Sequence, residues 1–338
     1  MQIIFFEESL RTGFVETFQR TVAPYYQRVS LIEQGNPLGA VSMKPSGIWE
    51  ATEYALALKQ LGRTEIPING TPTPARTLYD HLRKEQTFCH RLGSKTYWEA
   101  VPNPDSFTKK SFSLLQLKQN VSPAKAFKSF LEQLSFIDCD LIIDLSMVLF
   151  LIERFGEESF DRVVQSHHKG PIQIGSLAHN PIRTLFLQAP SDSNPSVGQC
   201  YYVENHSDYS TKHPHGPLQG FNLIYIGNNE RGELLFIGFG LNPKGLTLRE
   251  VAQILLDGYN KEPITPSDLV EEENAAQFLS SLQMKITIGN ETKTVYIREL
   301  QKLAAQAHSQ AVDILTNFLE KTTTLQTQKL TFEEFFPP

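Results

Sequence analysis

Residues 141–152, Leu-Ile-Ile-Asp-Leu-Ser-Met-Val-Leu-Phe-Leu-Ile, put an apolar side chain at all but two positions, Asp144 and Ser146. A helix built from them is apolar round nearly its whole circumference, so other elements have to cover it on several sides. At about 12 residues it falls short of the ~20 apolar residues that cross a bilayer, and no membrane span is expected. The segment therefore predicts a central helix that opens close to Cys139 and ends before Gly156. A chain of 338 residues has the length to wrap such a helix within one large domain or two.

Composition narrows the class of partner. The chain carries 31 Lys and Arg against 37 Asp and Glu, a net charge of −6, with 40% hydrophobic residues. That is a globular composition without the basic field that phosphate backbones require, so nucleic acid is not an expected partner. Three cysteines, Cys89, Cys139 and Cys200, with no C-x-x-C spacing fit neither a disulfide framework nor a structural zinc site. The N-terminal Met-Gln-Ile-Ile-Phe-Phe turns acidic at Glu7-Glu8 and has no basic leader, so a cytoplasmic protein is expected. The alternative is an effector translocated without a cleavable signal peptide, with the acidic, aromatic C-terminal tail as its address.

Helical periodicity is present at Leu10–Tyr26 and at Ile48–Leu61, the second with Ser46 as N-cap and Gly62 as stop. After Pro67, Pro72 and Pro74 a helix is predicted from Ala75 to Phe88, and Ser122-Pro123 reads as an N-cap with proline at the first helical position, opening Ala124–Leu134. From Thr184 short β-like runs take over, at Leu185–Gln188, Gln199–Val203, Asn222–Ile226 and Leu234–Phe239, and predict an antiparallel sheet. Thr247-x-x-Glu250 is a capping-box signature ahead of a helix over Val251–Tyr259. A helix at Leu269–Leu282, a hairpin of Met284–Ile288 and Thr292–Tyr296 around Gly289-Asn290, and a long amphipathic helix over Tyr296–Lys321 follow. The tail Thr322–Pro338 is expected to be loosely ordered.

Cys139 is the leading candidate for chemistry. At the start of a buried helix, unpaired N–H groups and the helix dipole favour an anion and hence a thiolate. The flanking Asp138 and Asp140 oppose a negative sulfur, so a cationic histidine has to be brought to it. A small buried hydrophobe is the other reading of the same cysteine. The polar stretch Glu204–Pro217 holds His206, His213 and His215 between two predicted strands, where catalytic groups are commonly displayed. His-x-His across Pro214 with no paired cysteine is a weak ligand pattern, so no metal is expected. Gly238-Phe239-Gly240 is not a dinucleotide fingerprint, and no cofactor is expected.

Seven stretches resemble, in order and spacing, the small Bacillus-type protein-glutamine gamma-glutamyltransferases. They are Ala75-Arg76-Thr77-Leu78, Thr96-Tyr97-Trp98-Glu99, Ser122-Pro123-Ala124-Lys125-Ala126, Phe136-Ile137-Asp138-Cys139, Phe155-Gly156-Glu157-Glu158-Ser159-Phe160, Gly198-Gln199-Cys200-Tyr201-Tyr202 and Gln219-Gly220-Phe221-Asn222. The resemblance covers about residues 74–259. It implies an α+β, papain-like transglutaminase core in which a central helix carrying Cys139 packs on an antiparallel sheet. The extensions are then an N-terminal helical segment, 1–73, and a C-terminal helix, hairpin and tail, 261–338, around a core of 74–260. It implies a cysteine that attacks a glutamine carboxamide, releases ammonia and passes the acyl group to a lysine amine or to water, without metal or cofactor.

Carried over by position, Cys139 falls on the nucleophile and Asp138 on the acidic residue before it, a glutamate in the family. The family's Gly-Glu-Asn strand stands here as Gly220-Phe221-Asn222, and its His-Gly-x-Gly strand as Ile237-Gly238-Phe239-Gly240. Phe221 and Ile237 thus occupy positions where the family moves protons, and neither can do so. Three expectations follow: a rearranged enzyme, a binding protein, or another hydrolase. In the first, His215 or His213 replaces the lost base, Asp138 or Asp208 orients it, and Trp98, Asn222 and His206 hold a protein substrate, although Trp98 and Trp49 read first as core. In the second, catalysis is lost and the extensions bind a protein partner. The third is an unrelated hydrolase or peptidase using the same thiol.

Overall fold

A computed structural model describes residues 8–33, 47–50, 54, 57–58, 65–68, 71–75, 93–102, 113–137, 139, 141–167, 172–174, 195–213, 216, 218–262, 283–288, 291–296, 313, 325 and 327–336. The class is α+β with antiparallel sheets. The chain divides into two compact units, one of Met1–Tyr202 with Phe221–Leu248, the other of Val203–Gly220 with Arg249–Pro338.

The first unit is built round the helix Leu141–Phe155, in which every residue from Leu141 to Ile152 is buried. Ser146 is accommodated because its hydroxyl donates to the Ile142 carbonyl at 2.8 Å. The 26-residue helix Glu8–Glu33 lies against this one, with Phe14, Phe18, Val22 and Tyr25 forming a single buried stripe at helical spacing. Gly13 sets the approach, since a Cβ there would lie 2.7 Å from the Phe150 ring. The helix Pro123–Glu132 opens as expected: Ser122 Oγ accepts the Lys125 N–H at 3.2 Å, and proline stands where no N–H is needed. Asp161, on the helix Glu157–His167, accepts the Ala124 N–H at 2.7 Å and satisfies a second orphan donor.

The helix expected from Ile48 is corrected at its start. Gly47–Trp49 is a strand, β1, and its partner only exists in three dimensions: it pairs in parallel with Leu134–Phe136 (β6), Trp49 opposite Phe136. Long-range pairing of a branched and an aromatic residue overrides the local helical periodicity. A helical Tyr54 N–H to Glu50 carbonyl bond follows only after the strand. Trp49 is fully buried, edge-on to Tyr25 at 6.0 Å and to Tyr54 at 5.0 Å, while Tyr25 stacks on Phe239 at 4.2 Å. The Arg28 guanidinium sits 4.7 Å over the Trp49 ring. Burial lowers Arg28 to about 10, against the opposing pull of Tyr54, and burial raises the Tyr54 phenol to about 12. One hydrophobic cluster runs from Phe14 through Trp49 and the central helix to Ile237 and Phe239.

The strands of the first unit form several sheets. Trp98–Pro102 (β4), Ser113–Leu117 (β5) and Gln173–Ile174 (β7) make an antiparallel trio with β5 in the middle. Glu65–Ile68 and Thr71–Pro74 (β2 and β3) form a hairpin. Cys200–Glu204 (β8), Gly220–Asn228 (β9), Leu234–Gly238 (β10) and Leu246–Thr247 (β11) make a sheet in the order β11-β10-β9-β8. β9 and β10 are antiparallel, with Ile237 opposite Ile224 and Gly238 opposite Leu223.

The second unit holds a short helix, Tyr209–Lys212, the helix that begins at Leu248 and ends at Asn260, and the hairpin Gln283–Ile288 with Glu291–Tyr296 (β12 and β13), in the register expected from Gly289-Asn290. The expectation of a loose tail is corrected. Asn260 holds Leu330 by both backbone groups, each at 2.8 Å, and Phe332–Phe335 is a helical turn closed by a Thr331–Glu334 capping box. Side chains of a preceding helix supply the partners that a free terminus lacks. The strand expected at Leu185–Gln188 and the helices expected at Leu269–Leu282 and Tyr296–Lys321, apart from Tyr296 at the end of β13 and Asp313, lie outside the described residues, as does the Ala75–Phe88 helix beyond Ala75.

Trp49→Ala removes the ring that packs edge-on against Tyr25 of the N-terminal helix and against Tyr54. Urea unfolding should register a loss of about 3–5 kcal/mol. A change within about 0.5 kcal/mol, the range of an ordinary surface substitution, would show that these residues are not part of the core.

Candidate active site

Cys139 sits in the turn between β6 and the central helix, two residues before the first helical position. The turn is anchored from its N-terminal side: β6 is in register with β1, and the Ile137 N–H donates to the Trp49 carbonyl at 3.1 Å. The first helical residue, Leu141, is buried and anchors the other side. Cys139 and Cys200 are both thiols, and Cys139 is half-buried.

Asn222 is the half-buried member of an otherwise buried stretch of β9, and its Nδ2 donates to Cys139 Sγ at 3.1 Å. Gly238 helps hold it there, since a Cβ at that position would meet the Asn222 carbonyl oxygen at 3.0 Å. Sulfur in a thiol is a weak acceptor, whereas a thiolate accepts strongly, so an amide N–H is a partner suited to the anionic form. A carboxamide cannot take a proton, however. Cys139 and Asn222 together offer a nucleophile and a donor, and the base has to come from elsewhere.

At the two positions that line up with proton-moving residues of the resembled family, the side chains are part of the packing. Phe221 is 6% exposed and Ile237 is 0% exposed, the latter within the main cluster. Trp98 also lies in the core: its Nε1 donates to the Ala126 carbonyl at 3.1 Å, and its ring packs on Phe127 at 5.3 Å and Phe130 at 5.4 Å. Asp138 and His215 lie outside the described residues.

His213 and His206 belong to the second unit, where each has structural partners. His213 is buried, with Nε2 at 2.9 Å from the Tyr259 carbonyl and its ring stacked on Tyr209 at 4.8 Å. A carbonyl only accepts, so Nε2 carries the proton. Gly216 is required beside it, because a Cβ there would come within 2.5 Å of Tyr209 Oη. Burial lowers the His213 pKa, opposed by the Tyr259 hydrogen bond and reinforced by the Lys212 charge. His206 Nδ1 accepts the Asp208 N–H at 3.3 Å, and its ring meets Tyr259 at 5.1 Å and Phe335 at 6.5 Å.

The structure thus brings Cys139 and Asn222 together across 83 positions of sequence. Lys212, Tyr259 and Asn260, which contact the tail, carried no motif and were not singled out by sequence. Among the described residues no group of three or more His, Cys, Asp or Glu is placed to hold a metal ion, and no helix is long and apolar enough to cross a membrane. Comparison of the chain with protein-family models and with curated proteins finds no match.

Two measurements follow. Asn222→Leu removes the donor at nearly constant volume, and a hydrogen bond of about 1–1.5 kcal/mol corresponds to roughly tenfold slower alkylation of Cys139 by iodoacetamide; an unchanged rate would deny the bond any influence on the sulfur. For His213, the unfolded ring takes up a proton near 6.5 and the folded ring only at lower pH, so the unfolded chain binds more protons as acid is added. Stability present above pH ~6.5 is lost as pH falls through the folded value. His213→Gln keeps an N–H for the Tyr259 carbonyl and does not titrate, so its melting temperature should fall less than that of the wild type between about pH 7 and pH 5.

Proposed function

We propose that this chain is a cysteine-dependent acyl-transfer enzyme with a papain-like, transglutaminase-type core, acting on glutamine side chains of a protein substrate as a transglutaminase or a glutamine deamidase. The observation that supports this reading is the Asn222 amide 3.1 Å from the Cys139 sulfur. The Cys139 sulfur attacks the carboxamide carbon, the C–N bond breaks, and the leaving nitrogen departs as ammonia with the proton given up by the thiol. A lysine amine or water then attacks the thioester carbonyl, the C–S bond breaks, and the sulfur recovers a proton from the incoming nucleophile. Asn222 holds the sulfur but does not carry these protons. In this reading His215 is the base, with Asp138 or Asp208 orienting it, since the Nε2 proton of His213 is engaged by the Tyr259 carbonyl. The setting is cytoplasmic.

A second reading is favoured by a different observation. Phe221 and Ile237 are buried where the family moves protons, which suits a protein that binds a partner without turnover. Incorporation of a biotinylated primary amine into a glutamine-bearing protein, with ammonia release measured in parallel, separates the two. The enzyme reading expects ammonia release in the wild type, with amine incorporation as well for a transglutaminase and without it for a deamidase, and neither signal in Cys139→Ser. Absence of both, with a thiol inert to iodoacetamide up to the ordinary cysteine range of about pH 8.5, would select the binding protein.

A further inference from the structure

In the second unit the tail is held in an unusual way. Asn260, the last residue of its helix, donates from Nδ2 to the Leu330 carbonyl and accepts the Leu330 N–H at Oδ1, each at 2.8 Å. The Lys212 ammonium donates to the Gln328 carbonyl, and the Tyr259 hydroxyl donates to Gln328 Oε1 at 3.0 Å. Arg249 lies 4.8 Å from the Phe332 ring centre. Asn260 and Lys212 thus read the tail through its backbone, and Tyr259 reads the Gln328 side chain.

The same segment buries little. Among its described residues Leu325 alone is buried, at 5% exposure, and the turn Phe332–Phe335 buries none of its side chains. One apolar side chain does little against the conformational entropy of ordering a dozen residues. Beneath the segment is Lys212, 1% exposed and 4.4 Å from the Tyr259 ring centre, a charged group that regains water when the segment leaves. Burial, then the charge of Lys329, holds its amine below the ordinary lysine range.

We propose that Lys212, Tyr259, Asn260 and Arg249 form a peptide-docking groove, and that residues 325–336 are its releasable occupant in cis. The partner it fits is a protein segment with the same order of chemistry: a leucine, a glutamine three residues on, then a capped turn of an aromatic, two acids and an aromatic. Side-chain recognition of a peptide backbone supplies affinity, and the glutamine and aromatic positions supply selectivity. The inference goes beyond the acyl-transfer reading and does not depend on Cys139.

The test uses the full chain and a fluorescent peptide of residues 324–338. Leu330→Pro removes the N–H that Asn260 accepts and leaves the groove intact. Fluorescence anisotropy should show binding to this variant and at least about tenfold weaker binding to wild type, where the tethered segment competes at an effective concentration on the order of millimolar. Adding Asn260→Ala to Leu330→Pro, or replacing Gln328 in the peptide by alanine, should weaken it. No binding to Leu330→Pro, or equal binding to all variants, would overturn the proposal. If Leu330→Pro does not fold, hydrogen exchange in the wild type decides: the Leu330 amide should exchange at least about 100-fold faster than that of Leu255, and equal rates would mean that the tail opens only with global unfolding.

Discussion

Coverage of the Leu141–Phe155 helix is the constraint on which the first unit depends. From Leu141 to Ile152 buried residues go all round its circumference and leave no solvent face, so its neighbours cannot be optional. The N-terminal helix approaches it closely enough to need glycine at position 13, and Trp49 locks the following strand to Phe136. Phe14, Phe18, Val22, Tyr25, Trp49, Tyr54 and Leu58 are therefore built into the same hydrophobic cluster as Ile237 and Phe239. The cluster ends in the turn that carries Cys139, so the packing that solves the burial problem also places the sulfur.

The site combines a well-placed nucleophile with changed surroundings. Asn222 reaches Cys139 because strand alternation turns it away from its buried neighbours Phe221 and Leu223. The two neighbouring positions that would carry protons in the resembled family are filled by apolar side chains that contribute to packing. Exchanging a buried acid or base for Phe or Ile removes a desolvation cost as well as a function. Of the histidines that drew attention in sequence, His213 and His206 are engaged with Tyr209, Tyr259 and Phe335 of the second unit.

Much of this was legible in the residues. The central helix, the Ser122-Pro123 cap, the antiparallel β9–β10 pair and the β12–β13 hairpin all follow from local signals: circumference-wide apolarity, a capping side chain, short apolar runs and a Gly-Asn turn. β1 was not legible, because its periodicity is helical and its strand partner lies some 87 residues away, Trp49 against Phe136. The ordered tail was not legible either, since what orders it is a pair of bonds from Asn260, 70 residues before Leu330.

By itself the sequence determined that a covered helix exists, that Cys139 stands at its entrance, and that Phe221 and Ile237 cannot move protons. These are properties of residue type and near-neighbour spacing. Tertiary structure decided which side chain meets the sulfur, which histidine rings are engaged by carbonyls and aromatic rings, and what holds the tail. Those outcomes depend on strand register and on contacts between residues far apart in sequence, which local periodicity does not encode.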